Sequence, residues 1–464
     1  MNTAKLEAYV FDKMSSTRMP GLSLALVKGR RVVYARGFGL SDIAHGRAAE
    51  PETLYPAASI TKSFVALAIL QLAERGLLRL TDPVERHVRW PIRSRGGPVR
   101  IQHLLTHTSG LPALGYAEAV IRHANRLGGR RLPIGGPRDV LTFMRGADSW
   151  AEGPPGRRWL YLNEGYVLLG RIVEHASGQT YDEYIRQHIL KPLGMSRSFF
   201  AQKDIAADGR LAVPYIIEPG VEPRKGSYSF GVFSTDGGLV TNVLDLARYV
   251  SMFLRHGRGV LSEASWKAMT RPRIPCAMRP VEGLWGAKEK PTGTTRYAYG
   301  LSVIDDFPGQ PLIGHGGSVL VATGYFGFLP RSHMGVAVLA NSKGYAMSQL
   351  ARVALTMMQG KDPERLTFVR ADRVMEGLCG VYETYRGTVR VKVARDGDFL
   401  RLEHLNGPAG TPATVLVPER LDGVEPRFFT YGEGQRLDVP FRTTRRGVEL
   451  MFERYKLRRI GPST

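Results

Sequence analysis

Apolar positions at helical intervals in residues 1–14 (MNTAKLEAYVFDKM), with Glu7 and Asp12 between them, predict an amphipathic helix at the start of the chain. Leu22 to Val27 and Arg31 to Ala35 are apolar runs joined by Lys28-Gly29-Arg30, the pattern of a hairpin. From Ser59 to Glu74 the apolar residues Phe64, Leu67, Ala68, Leu70 and Leu72 predict a largely buried helix, which Gly76 is placed to end. Further helices are predicted at Tyr166 to His175, Tyr181 to Leu190, Val243 to Leu254 and Ala346 to Gln359, with Asn242 or Thr241 as N-cap of the third. Gly300 to Ile304, Thr323 to Leu329 and Val336 to Leu339 read as strands bounded by Gly, Pro and Asp. Strands at both ends and helices in the middle predict an α+β domain over residues 1–360 whose sheet joins its two ends.

After Gly360-Lys361-Asp362-Pro363 the period changes, so 361–371 reads as a linker. Val389, Val391 and Val393 alternate with basic residues, and Leu437, Val439 and Phe441, then Val448, Leu450 and Phe452, alternate likewise. Turns such as Arg395-Asp396-Gly397-Asp398 and Leu421-Asp422-Gly423 separate them. Residues 372–464 therefore predict an antiparallel meander of seven or eight strands, a small all-β barrel or sandwich.

A length of 464 residues calls for at least two cores, and 43% hydrophobic with 23% charged residues excludes wholesale disorder. The two cysteines, Cys276 and Cys379, offer neither a disulfide framework nor a four-ligand zinc cluster, which points to a reducing compartment. The opening helix lacks the apolar core of a secretory signal and no apolar run is long enough to span a bilayer, so a cytoplasmic protein without a membrane span is expected. The net charge of +22 is dispersed in pairs such as Arg30-Arg31, Arg130-Arg131 and Arg445-Arg446. With no basic tail and no nucleic-acid-binding module, it reads as a solvated basic surface that draws in anionic substrates, and no specific nucleic-acid partner is expected.

Ser59-Ile60-Thr61-Lys62 is the chain's S-x-x-K, at the start of the buried helix. A spacing of three puts both side chains on one helical face, where an amine can take a hydroxyl proton. Alone it is equally an N-capping serine and a surface lysine. Tyr161-Leu162-Asn163 follows the Gly- and Pro-rich Glu152-Gly153-Pro154-Pro155-Gly156 and precedes a helix. An ammonium beside a phenol favours the phenolate, a usable base, and an asparagine amide can bridge a lysine and a substrate amide. Either residue, taken singly, is equally a core tyrosine or a turn former. His315-Gly316-Gly317-Ser318 follows the apolar Leu312-Ile313; two glycines let a substrate approach the backbone, and the next N–H can point at an oxyanion. His315 can bind a substrate carboxylate, help transfer a proton or serve as a strand-end structural residue.

In this order the three motifs resemble the serine beta-lactamase and penicillin-binding-protein family, in the arrangement of class C beta-lactamases, DD-peptidases and related esterases. His107-Thr108-Ser109-Gly110-Leu111-Pro112, Gly165 to Gly170, Lys191-Pro192-Leu193-Gly194-Met195 and Gly237-Gly238-Leu239 are similar to family stretches too, and the resemblance covers about residues 5–359. It implies Ser59 as nucleophile, Lys62 as its activating lysine, Tyr161 as second base and Asn163 as amide partner. It also implies an oxyanion hole from the Ser59 and Ser318 N–H groups, with Gly316 and Gly317 beside the substrate. The sequence departs at His315, where lactamases and peptidoglycan enzymes carry lysine and some D-aminopeptidase-like and esterase-like relatives carry histidine. The C-terminal segment resembles the lipocalin-like barrels attached to some relatives; capping the cleft, homo-oligomerisation and ligand binding are its open roles.

The resemblance thus implies a serine hydrolase forming an acyl-enzyme with small amide, ester or short-peptide substrates and needing no cofactor. Beta-lactam hydrolysis is the alternative reaction, and a non-catalytic ligand-binding or assembly protein on the same fold is the alternative of another class. His103 and His107 imitate two zinc ligands on a helix, but no glutamate stands between them and no metal is expected. There is no G-x-S-x-G elbow and no Walker A loop. Residues 113–158 and 271–297 read as long loops lining the cleft.

Overall fold

The computed structural model describes residues 2–88, 93–94, 96–218, 221–229, 235–276, 294–408, 410–422 and 425–462. They fall into two units that divide between Lys361 and Asp362. The first begins with α1 (Thr3–Thr17), opened by Asn2, whose side-chain oxygen accepts the Lys5 N–H at 3.1 Å. The expected hairpin follows as β1 (Gly21–Lys28) and β2 (Arg31–Asp42). The buried helix α2 (Thr61–Glu74) is apolar nearly all round, so it forms the middle of the core rather than one wall of it.

Among the described residues, β1 and β2 join seven more strands in one antiparallel sheet: β3 (Arg47–Ala48), β4 (Ile274–Pro275), β5 (Thr295–Tyr297), β6 (Ser302–Phe307), β7 (Gln310–Val319), β8 (Ala322–Leu329) and β9 (Met334–Ala340). The order is β4-β5-β6-β7-β8-β9-β1-β2-β3. β1 pairs with β9 from Leu22↔Ala340 to Lys28↔Met334, which joins the two ends of the domain as expected. Successive side chains of β9 face opposite sides, and nearly all are buried because helices cover both faces. Helix α3 (Asn163–Ser177) packs on α2, while α4 (Val243–Leu254) and α5 (Met347–Met358) pack on β8 and β9. Phe253 of α4 stacks on Phe328 of β8 with ring centroids 4.8 Å apart.

Three features depart from the sequence reading. The His315-Gly316-Gly317-Ser318 run lies inside β7 rather than after a strand, and two of the strand's glycines, Gly314 just before the run and Gly317 within it, are crowded. A methyl on Gly314 would lie 2.1 Å from the Phe326 carbonyl oxygen, and one on Gly317 would lie 2.0 Å from that of Ala57. The helix expected over Tyr181 to Leu190 is α-helical only to Ile185 and then widens into a π turn, Arg186–Leu190. Pro192 has no N–H for the His188 carbonyl, which instead accepts Gln71 Nε2 at 3.1 Å. Residues 113–158, read as a loop, contain the short helices Tyr116–Ala124 and Pro137–Phe143. Of the other long loop, residues 277–293 lie outside the described residues.

The second unit starts with α6 (Thr367–Leu378), which runs through part of the expected linker and buries Val369, Asp372, Met375 and Leu378 at intervals of three. Eight strands then close an antiparallel barrel: β10 (Gly380–Glu383), β11 (Arg390–Asp396), β12 (Phe399–His404), β13 (Thr414–Arg420), β14 (Arg427–Gly432), β15 (Gln435–Thr444), β16 (Gly447–Phe452) and β17 (Tyr455–Gly461). β10 pairs with β17 to complete it, so the sheet has no free edge. The alternating residues Val391, Val393, Val439, Phe441 and Leu450 fill its interior. Gly423 of the expected turn at Leu421-Asp422-Gly423 lies outside the described residues.

Candidate active site

Ser59 sits in a single 3-10 turn, Ala58–Ile60, that leads into α2, and it makes no capping bond to that helix. The residue before it, Ala58, has φ 48°, a left-handed conformation that costs a non-glycine residue strain of about 1–3 kcal/mol. β7 packs against this turn, and the Gly317–Ala57 approach needs a residue without a side chain. Lys62, one helical turn on, is 0% exposed, so the surface-lysine reading does not hold. Its Nζ donates to Ser59 Oγ at 3.0 Å and to the Asp236 carbonyl at 2.6 Å. It also lies 5.1 Å from the ring centroid of Tyr161 and 5.6 Å from that of Tyr166, within reach of a cation–π attraction.

Tyr161 occupies the extended segment before α3, half-buried, with its ring against His107 at a centroid separation of 4.1 Å. His107 is held by the backbone next to Tyr161: Nδ1 accepts the Leu162 N–H at 3.0 Å, which leaves the proton on Nε2. Burial first, then the charge of Lys62, holds this imidazole well below its usual range, so it is a neutral wall for Tyr161. His103, its supposed partner in metal binding, accepts the Arg100 N–H through Nδ1. Asn163 is the first residue of α3 and half-buried, but it is not among the residues lining the cavity described next.

Ser59, Tyr161, His315, Gly316, Gly317 and Ser318 line one cavity of about 560 Å³, with Lys62 behind Ser59. Segments of chain far apart in sequence therefore meet there. His315 has both ring nitrogens occupied. The Gly316 carbonyl can only accept, so Nδ1 donates to it at 2.6 Å, and Nε2 accepts the Tyr297 hydroxyl at 2.8 Å. Burial, then Lys62, pushes the His315 pKa down to about 4, and the ring is neutral near pH 7.

Several residues of the site carried no motif. Tyr297, buried on β5, fixes the His315 ring; Lys343 and Tyr345, on the loop after β9, line the cavity. Asp236 receives Lys62, and its signal in the sequence is only an acid just before Gly237-Gly238-Leu239.

Residues 6–356 match the family model described as Beta-lactamase. The chain belongs to the Beta-lactamase family. Residues 363–458, which take in the barrel up to the middle of its last strand, match the model described as Pab87 octamerisation domain. Outside these models, the chain is similar to the structure of the octameric penicillin-binding protein homologue from Pyrococcus abyssi. It is 40% identical, with a TM-score of 0.91, covering 98% of this chain and 100% of the other. It is 27% identical over 342 residues to Protein flp of Staphylococcus aureus (strain MW2), covering 73% of this chain. The chain spans 62% of the length of that curated relative. D-amino acid amidase from Ochrobactrum anthropi SV3 shares the Beta-lactamase fold at 20% identity and a TM-score of 0.61, covering 78% of this chain and 99% of that one.

Proposed function

We propose that this protein is a serine hydrolase that turns over small amides or esters through an acyl-enzyme on Ser59. The observation that carries the reading is the 3.0 Å contact between buried Lys62 Nζ and the Ser59 hydroxyl at the wall of an open cavity. Ser59 Oγ attacks the substrate carbonyl carbon, its proton passes to the Lys62–Tyr161 pair, and the oxyanion is received by the Ser59 and Ser318 N–H groups. Collapse breaks the bond to the amine or alcohol, which leaves with that proton; water then releases the acid and free Ser59. Lys62 and Tyr161 act as one coupled unit.

His315 separates the substrate classes. A lysine there would offer a permanent cation to the carboxylate of a beta-lactam, whereas a neutral imidazole with both nitrogens engaged does not. This supports peptidase action of the D-aminopeptidase kind, or esterase action, over beta-lactam hydrolysis and over carboxypeptidase action, whose substrate also ends in a carboxylate; the amidase that shares the fold is in keeping with it. The octamerisation-domain match and the octameric relative support a homo-octamer built through residues 363–458.

The test is intact mass after incubation with a fluorophosphonate, followed by a screen of p-nitrophenyl esters, D- and L-aminoacyl anilides and nitrocefin. One adduct per chain, absent in Ser59→Ala, is expected. A folded wild type that takes no adduct and turns over nothing would sink the reading and favour a ligand-binding module. No described helix is long and apolar enough to cross a membrane.

A further inference from the structure

Residues 235–239 cross behind Lys62 as a strap fastened at nearly every residue. Thr235 Oγ1 donates to the Tyr166 carbonyl at 2.9 Å, a contact that Gly170 permits, since a methyl there would lie 2.1 Å from Thr235 Cγ2. Asp236 receives Lys62 on its carbonyl, the Tyr228 hydroxyl donates to the Gly237 carbonyl, and the Leu239 N–H donates to Thr61 Oγ1 at 3.1 Å. The Asp236 carboxylate has its own clamp, the Tyr116 hydroxyl. Tyr116 also donates its backbone N–H to Glu164 Oε1 at 3.4 Å, so one tyrosine ties two carboxyl groups together. Asp236 and Glu164 are 3% and 1% exposed.

This arrangement answers a charge problem. Lys62 is buried, and the polar groups it donates to, a hydroxyl and a carbonyl, are not anions. A buried ammonium is costly without a compensating charge nearby. The titratable groups facing Lys62 and Asp236 are Tyr161 and Tyr166 at α3, His107, His315 on β7 and Tyr297 on β5, then Tyr116, Tyr181, Tyr228 and Glu164. Burial keeps the phenols of Tyr116, Tyr166, Tyr181, Tyr228 and Tyr297 protonated and both imidazoles neutral. Glu164 is pushed up to about 7 by burial, with Asp236 and Glu118 adding to it. Among these groups the carboxylate of Asp236, the residue whose carbonyl receives Lys62, is placed to supply the negative charge, and Glu164, held up at about 7, adds its own only as the pH rises past that value.

We propose that Asp236 is a positioning residue for Lys62: clamped by Tyr116 and backed by Glu164, its carbonyl aims the amine at Ser59 and its carboxylate balances the lysine's charge. The assignment rests on the hydrolase reading and says how its base is held ready.

The test is the rate of Ser59 labelling by a fluorophosphonate as a function of pH, with the melting temperature measured alongside, on the full chain. Removing a negative charge beside the Lys62–Tyr161 pair makes loss of its proton easier. The ascending limb in Asp236→Asn is therefore expected at lower pH by about one unit. Glu164→Gln should move it the same way by less, because Glu164 is tied to Asp236 through Tyr116 and carries its charge fully only above about pH 7. Tyr116→Phe keeps both carboxyl groups but removes the phenol's hydrogen bond to Asp236, and a rate lower by about tenfold at the plateau is expected. A purely structural role would lower the melting temperature and leave the limb in place. Limbs of Asp236→Asn and Glu164→Gln that superimpose on wild type overturn the proposal, and if Asp236→Asn does not fold, Glu164→Gln decides alone. A wild type that takes no label removes the hydrolase reading instead.

Discussion

One methyl group is enough to test the packing of β7 against the turn that carries Ser59. Gly317→Ala would set a carbon 2.0 Å from the Ala57 carbonyl oxygen, so the strand or the turn must shift. Overpacking of this kind costs about 1–3 kcal/mol, and a shift near 1 Å at a reacting atom can cost about a hundredfold in rate. Fluorophosphonate labelling of Ser59 should fall by about that factor, and a variant labelled at the wild-type rate would show that the contact is unimportant. The histidines make a second prediction at this scale. His315 and His107 are both held below their ordinary range, so the unfolded chain binds protons that the folded one refuses. Their contribution is whole above pH 6.5 and is lost as the pH falls toward 4; His315 alone accounts for about 3 kcal/mol. Urea titrations at pH 7, 5.5 and 4 should show wild type losing more stability than His315→Gln, and parallel losses would contradict the assignment. Which residues could be read in advance follows from distance along the chain. Ser59 and Lys62 stand three apart across a 3-10 turn and the first turn of α2, so their meeting is a local fact. Asp236 lies 174 residues from Lys62, and Tyr297 reaches His315 from another strand; nothing local announces either.

Elements were legible where period and punctuation agreed. The hairpin of β1 and β2 and the helix α4 are of this kind, and Asn242 caps α4 by accepting the Asp245 N–H at 2.9 Å. Asn242→Ala should lower stability by about 1 kcal/mol, with Ser59 labelled at the wild-type rate; a chemical melt unchanged by the substitution would show the cap to be idle. β7 was partly hidden because glycines read as a strand's end when they are in fact its crowded middle. Helix α6 was hidden for another reason. Its buried stripe includes Asp372, which breaks the apolar pattern and is paired with Arg395 at 2.6 Å. The barrel alternation survived because most of its core positions are apolar, with Thr430 an exception.

At the scale of the whole molecule, the sequence told two cores apart but left the barrel's role open. Eight chains of 51.3 kDa would form a particle of about 410 kDa, and each brings a net charge of +22. Like-charged chains repel through water, and that repulsion is screened beyond about 10 Å at 0.1 M salt and about 3 Å at 1 M. Light scattering should therefore show the octamer gaining over smaller species as salt rises from about 50 to 500 mM. A monomer at every concentration and salt would rule out the assembly.

The pairing of β1 with β9 also governs how the protein is born. Leu22 must wait for Ala340. At translation speeds of about 5–20 residues per second, that is roughly 15–60 s in which one side of the first hairpin has no neighbour. An apolar strand left open for so long is a template for the wrong partner, so on a crowded polysome safe delivery depends on a holdase or on neighbouring nascent chains being kept apart.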